Sequence, residues 1–150
     1  MRRRFAVTLA AVPLAALAVP LAAGPAAASE YNNWCPVVQL KGGAPTQTAY
    51  AHLEGDWATK YKLDPVVLLA RDTYADGHHV GVRLITWQAD GDVKYWSWHD
   101  YYGGDNGQDF WKSTASDTQG IKAAAVQGGV FEGSDLLASC VSSKMTNPIW

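Results

Sequence analysis

A small antiparallel β-sandwich, with a small β-barrel as the alternative, is the fold class this chain predicts. Three observations carry it. Short runs of β-branched and aromatic residues recur between Gly- and Asp-rich turns. No stretch has the long 3.6-residue apolar period of a surface helix. Seven Trp and seven Tyr supply the large side chains that a small all-β core requires. Counting the weaker runs gives seven or eight strands at sandwich-like spacing, without an internal repeat.

Residues 1–28 stand apart from this pattern. Arg2, Arg3 and Arg4 precede an Ala/Leu/Val run from Phe5 that ends at Ala26-Ala27-Ala28, just before Ser29. A charged start, an apolar middle and a small-residue cleavage site are the parts of a secretory signal peptide. Pro13, Pro20 and Pro25 interrupt the run and argue against a membrane span. The expectation is a secreted, extracellular protein with a single β-sandwich domain over 29–150. No later stretch approaches the roughly 20 apolar residues of a transmembrane segment.

Cleavage would remove three of the 12 basic residues and none of the 14 acidic ones, leaving nine against 14 and a net charge of −5. That balance, without a Lys/Arg cluster, excludes the electrostatic footprint of a nucleic-acid binder and the basic patch of a membrane-surface protein. Cys35 and Cys140 are the two cysteines, and in an oxidising compartment they allow one intramolecular pairing. The loop so closed encloses most of the domain and is worth up to about 4.7 kcal/mol in the chain-entropy account.

From Ser29 the chain opens with the polar and aromatic SEYNNW, and Cys35 to Leu40 then predicts a short strand that Lys41-Gly42-Gly43-Ala44-Pro45 ends. Residues 46–62 mix a strand around Thr48 to Leu53, a Gly55-Asp56 turn and a run from Trp57 to Tyr61, with a short helix as the other reading. Asp64-Pro65 favours extended geometry and introduces Val66 to His99, read as a three-stranded meander. Two-residue loops at its Asp-Gly pairs would oppose Leu84 to Ser97. Three-residue loops, Ala75-Asp76-Gly77 and Ala89-Asp90-Gly91 with a left-handed glycine, put Val82 against Ala70 and Trp98, and Leu84 against Leu68 and Trp96. A one-residue slip exchanges the faces, so burial selects the register that makes Leu68, Ala70, Val80, Val82, Leu84, Trp96 and Trp98 one apolar face. The other face carries Leu69, Arg71, Arg83, Ile85, Trp87, Val93, Tyr95 and Ser97. It is too apolar for plain exposure: either a loop covers it or a partner binds there.

After His99 the Gly- and Asp-rich loop of residues 100–109 leads to a short strand at Phe110 to Ser113 and a turn at Ser116 to Gly120. Ile121 to Phe131 is a small-residue strand with a bulge expected at Gly128-Gly129. Glu132-Gly133-Ser134-Asp135 turns it into Leu136 to Ser142, which holds Cys140. The Arg-led signal, the segment ARDTYADGHHVGVRL, the Trp-rich strand after the second Asp-Gly turn and the closing VFEGSDLLASC resemble a group of small secreted actinobacterial β-sandwich proteins of uncharacterised function. That resemblance spans most of the chain after the signal and implies a fold and a compartment. It carries over no catalytic residue.

Catalytic chemistry finds little support in the residue pattern. His52, His78, His79 and His99 show no H-E-x-x-H or zinc spacing, and adjacent His78 and His79 on a strand point to opposite faces. Ser134 lacks the G-x-S-x-G elbow. Asp72, Asp76, Asp90, Asp92 and Asp100 sit mostly in or beside turns, where Asp bonds the backbone. A weak calcium candidate is the loop of Asp105 and Asp109, without the full EF-hand spacing. No cofactor is expected and no catalytic residue is assigned. The binding candidates are Arg83, Trp87, Tyr95, Tyr101, Tyr102 and Trp111, aromatics and a cation placed on the second face or beside the Gly-rich loop. These features predict a secreted, non-enzymatic interaction module for a protein partner. The alternatives are a carbohydrate-binding module stacking sugars on those rings, and behind it a small hydrolase.

Overall fold

Residues 29–150 are described in a computed structural model, and their regular structure is entirely β. The signal reading of 1–28 lies outside the described residues. In chain order the strands are β1 (Ser29–Lys41), β2 (Ala44–Thr59), β3 (Lys62–Asp72), β4 (His79–Trp87), β5 (Val93–Tyr95), β6 (His99–Tyr101), β7 (Gln108–Ser116), β8 (Ala123–Glu132), β9 (Asp135–Val141) and β10 (Met145–Thr146). β1-β2-β3-β7 form a four-stranded antiparallel sheet. In the six-stranded sheet β4 and β8 are central, β9 and β10 share the free edge of β8, and β5 and β6 share that of β4. No helix among the described residues is long and apolar enough to cross a membrane.

The two sheets stack face to face, and the period-2 alternation of each strand decides what lies between them. Val37, Ala51, Leu53, Leu68 and Ala70 of the first sheet meet Val80, Val82, Leu84, Val126 and Val130 of the second in one buried cluster. The Cys35–Cys140 disulfide joins β1 to β9 with their Cα atoms 5.8 Å apart, stapling one sheet to the other. The prediction of an antiparallel β-sandwich with this bridge holds.

The meander does not. β3 is paired along one edge by β2 and along the other by β7, so no edge remains for β4. The chain arches from one sheet to the other, and Leu68 and Ala70 share a core with Val82 and Leu84 across the sandwich instead of beside them. The second predicted loop is correct: Gln88 N donates to Asp92 O, Gly91 N to Gln88 O, and Ile85 lies opposite Tyr95 in the three-residue-loop register. That register lasts only through β5. In β6 Val82 pairs with His99, not Trp98, so the strand has slipped by one residue across Trp96 to Trp98. Trp96 stays inward against the core, its Nε1 donating to Thr86 Oγ1, whereas Trp98 is turned to the outer face.

Two further expectations are corrected by close backbone approach. Gly55 does not turn the chain: β2 continues through it, with the register against β3 shifting between Gly55 and Trp57. A Cβ there would collide with Pro65 O and the Tyr31 ring, and the positive φ of 154° suits only glycine. Gly128-Gly129 is not a bulge; the register shift comes later, between Val130 and Phe131. Gly128 instead lets β8 press on the other sheet, where a Cβ would lie 2.6 Å from that of Ala51.

Candidate functional site

The outer face of the six-stranded sheet is the second face of the sequence reading, and it brings four of the six binding candidates together, Arg83, Trp87, Tyr95 and Tyr102. Arg83, Ile85 and Trp87 alternate with the inward Val82, Leu84 and Thr86, and Tyr95 lies opposite Ile85. The Arg83 guanidinium lies 4.6 Å from the Tyr95 ring centre and 4.5 Å from that of Trp98. Its Nε donates to Gln127 Oε1 at 2.8 Å. Burial among these groups depresses the Arg83 pKa, because the low-dielectric surroundings disfavour its charge. Phe131 meets Trp98 edge-on at 5.0 Å, His79 stacks on Phe131 at 5.3 Å, and Tyr102 stacks on His79 at 4.3 Å. On the other side Lys144 Nζ sits 4.1 Å over Trp87. Ile85, Ala125 and Phe131 are buried beneath this layer although they point away from the main core. The face is thus covered largely by its own side chains.

Tyr101 and Trp111 do not join that face. Tyr101 is turned inward, and its ring occupies the space left by Gly103 and Gly107. Trp111 lies opposite the buried Leu68, packs on the core and stacks on His99 at 5.2 Å. Both are partly buried against the core, away from the outer face that carries Arg83 and Tyr95. Of the calcium candidates, Asp105 accepts from Asn106 Nδ2 in the loop, while Asp109 lies on β7 and accepts from the backbone of Phe110. Among the described residues no three His, Cys, Asp or Glu side chains converge as metal ligands.

The arch between β3 and β4 collects charge. Asp76 accepts from Lys41 Nζ at 2.7 Å and from the His78 backbone at 3.2 Å, and His78 Nε2 reaches Glu132 at 3.1 Å. His78 Nδ1 is 3.0 Å from Asp76 Oδ1, too poorly aligned for a hydrogen bond. Burial alone would raise the Asp76 carboxyl, but the bonds from Lys41 and His78 outweigh it and hold the carboxyl below its usual range. Asp72 is the reverse case: its burial at the end of β3 pushes the pKa up against a single bond from the Tyr74 backbone. Lys41 comes from β1 and Glu132 from β8, so this chain of polar contacts ties the two sheets at the arch.

The sequence reading missed the outer face of the four-stranded sheet. Register places Trp34 opposite His52, His52 opposite Leu69, and Leu69 opposite Phe110, a row crossing all four strands. At about 4.8 Å per strand the row is roughly 14 Å long. Tyr50, Arg71 and Gln108 flank it on one side, and Glu54, Val67 and Lys112 on the other. Shallow depressions follow both flanks. Trp34 is 54% exposed and Phe110 66%. Trp34 and Tyr50 lie ring to ring at 5.7 Å, Tyr50 stacks on His52 at 6.3 Å, and His52 Nε2 is fixed to Asn32 Oδ1 at 2.9 Å. A period-2 signal was present in Ala49-Tyr50-Ala51-His52, but it assigns the small residues to the inside. Ala51 packs there against β8, so closely that a Cβ at Gly128 would lie 2.6 Å from its own.

The chain matches no family model, no curated protein and no solved structure. The functional reading therefore rests on the two faces themselves.

Proposed function

We propose that the chain is an exported, non-enzymatic binding module that docks a protein partner on the outer face of its four-stranded sheet. The row Trp34–His52–Leu69–Phe110 carries this reading: four strands line up an aromatic and aliphatic stripe whose end rings, Trp34 and Phe110, are exposed among the described residues. Large exposed apolar stripes on small proteins mark interaction surfaces. The residue types also suit a protein partner, since Trp, Tyr and Arg dominate the energetics of such interfaces, and Leu69, Val67 and Phe110 add aliphatic and aromatic surface without donors for sugar hydroxyls. Export is supported by the N-terminal pattern Arg2 to Ala28 and agrees with the Cys35–Cys140 disulfide, as does the resemblance to small secreted actinobacterial proteins.

Affinity capture from culture supernatant and cell envelope tests the docking face. The unaltered protein should retain a specific protein, Trp34→Ala and Phe110→Ser should weaken retention at least tenfold, and Tyr95→Ala on the opposite sheet should leave it unchanged. Equal retention by all variants, or retention of glycan alone through this face, refutes the reading. For export, mass spectrometry of the protein in the medium should find Ser29 as its first residue; a full-length chain held in the cell would contradict it.

A further inference from the structure

Arg83 is a cation without an anion. Lys41, Lys62 and Lys94 each hold a carboxylate, whereas among the described residues none lies within ion-pair distance of Arg83. Among the described residues its one hydrogen bond runs from Nε to Gln127, and the two terminal nitrogens have no partner. Neither is sealed from water, because among those residues the enclosed unpartnered side-chain atoms are Gln39 Oε1 and His78 Nδ1. A half-buried guanidinium with no carboxylate beside it and two water-facing nitrogens is free to take a charge-assisted, bidentate partner from outside the chain.

The guanidinium is also held in place. Tyr95 and Trp98 pack on it, and the buried Gln127 that anchors Nε is itself steadied by Ser139 Oγ at 3.4 Å. Little side-chain entropy remains to be lost when the free end of such a fork takes a ligand. It stands within a continuous run of contacts, Tyr95, Arg83, Trp98, Phe131, His79 and Tyr102, whose end rings are 57% and 73% exposed.

We propose that this run is a second binding site, separate from the four-stranded face, for a saccharide bearing a carboxylate. The carboxylate accepts parallel hydrogen bonds from the terminal nitrogens of Arg83, and the sugar ring lies against the exposed Tyr95. A guanidinium fork matches the planar carboxylate bidentately, and a phenol ring beside it offers the flat apolar surface that a pyranose stacks on. With nine basic against 14 acidic residues in 29–150, the domain repels a dense polyanion and favours a sugar chain whose carboxylates are isolated. An acidic peptide would satisfy the fork but has no sugar ring to lay on Tyr95.

The test is calorimetric titration of the purified protein with trisaccharides bearing one glucuronate, galacturonate or mannuronate, each beside its carboxyl-reduced counterpart and an end-blocked Gly-Asp-Gly peptide. At least one uronate should bind saturably, with its reduced form at least tenfold weaker. Arg83→Gln should weaken it equally, Tyr95→Ala severalfold, and Trp34→Ala not at all. If Arg83→Gln fails to fold, Arg83→Lys, which keeps the charge but not the fork, and the exposed Tyr95→Ala take its place. Absence of saturable binding for every uronate, equal affinity for the reduced forms, insensitivity to these substitutions, or tighter binding of the peptide overturns the proposal. Loss of binding in Trp34→Ala would instead place the sugar on the other sheet, and would overturn it too.

Discussion

The outer faces of the two sheets are built from similar residues and behave differently. On the six-stranded sheet, Tyr95, Arg83, Trp98, Phe131, His79 and Tyr102 contact one another in that order, and Ile85 and Ala125 are buried on the same face. On the four-stranded sheet, Trp34, Tyr50 and His52 touch, while Phe110 stands 66% exposed at the far end of its row. Aromatic content alone therefore does not identify a binding surface. What matters is whether the rings already satisfy one another: the first face has become a small second core that encloses an unpaired guanidinium, and the second remains an open stripe.

Truncation beneath the rings gives the largest expected contrast. Ile85→Ala removes a buried side chain and should cost about 2–4 kcal/mol of stability, whereas the same truncation at Leu69, half-buried in the open row, should cost about 1 kcal/mol. Denaturant unfolding of both variants measures it, and comparable losses would erase the distinction between a second core and an open face.

A smaller effect separates the faces by pH. Asp117, in the β7–β8 connection, accepts from Gln88 Nε2 at 2.9 Å, Lys94 Nζ at 3.0 Å and the Gln119 backbone at 3.0 Å. Burial pushes its carboxyl up, but these bonds outweigh burial and leave the pKa below the ordinary value of 3.8. Because the folded value is the lower one, the stabilisation is complete above the unfolded carboxylate's pKa and is lost as pH falls through the folded one. Acidification below about pH 4 should therefore loosen the β4–β5 hairpin that carries Lys94 and Tyr95 before it disturbs the Trp34–Phe110 row. Residue-resolved NMR over an acid titration, with Asp117→Asn as control, reads this directly. If the row responds first, or if Asp117→Asn leaves the profile unchanged, Asp117 does not govern the difference.

Legibility in the sequence followed the range of the interaction. The Ala89-Asp90-Gly91 loop was readable because turn geometry is set by neighbouring residues, and Gly91 adopts the positive φ of 98° that the turn requires. The inward set Leu68, Ala70, Val80, Val82 and Leu84 was readable because alternation is local too. Their pairing was not, since the same apolar faces can meet side by side in one sheet or face to face across two. The slip at Trp96 to Trp98 was equally hidden: one extra residue without a local turn signal moved Trp98 from the core to Arg83.

By itself, then, the sequence determined an all-β chain, one cysteine pairing, the faces of its clearest strands and the candidacy of Arg83, Trp87, Tyr95 and Tyr102. Each of these depends on residue chemistry, period or count. Only the tertiary structure decided that Tyr101 and Trp111 point inward, that Trp98 points outward, and that Trp34, His52, Leu69 and Phe110 form one row. That row draws on four strands whose members lie 76 positions apart between its ends, and β pairing between such distant segments is selected by the packing of the whole sandwich, as where Ala51 and Gly128 meet too closely across the two sheets for a Cβ at Gly128.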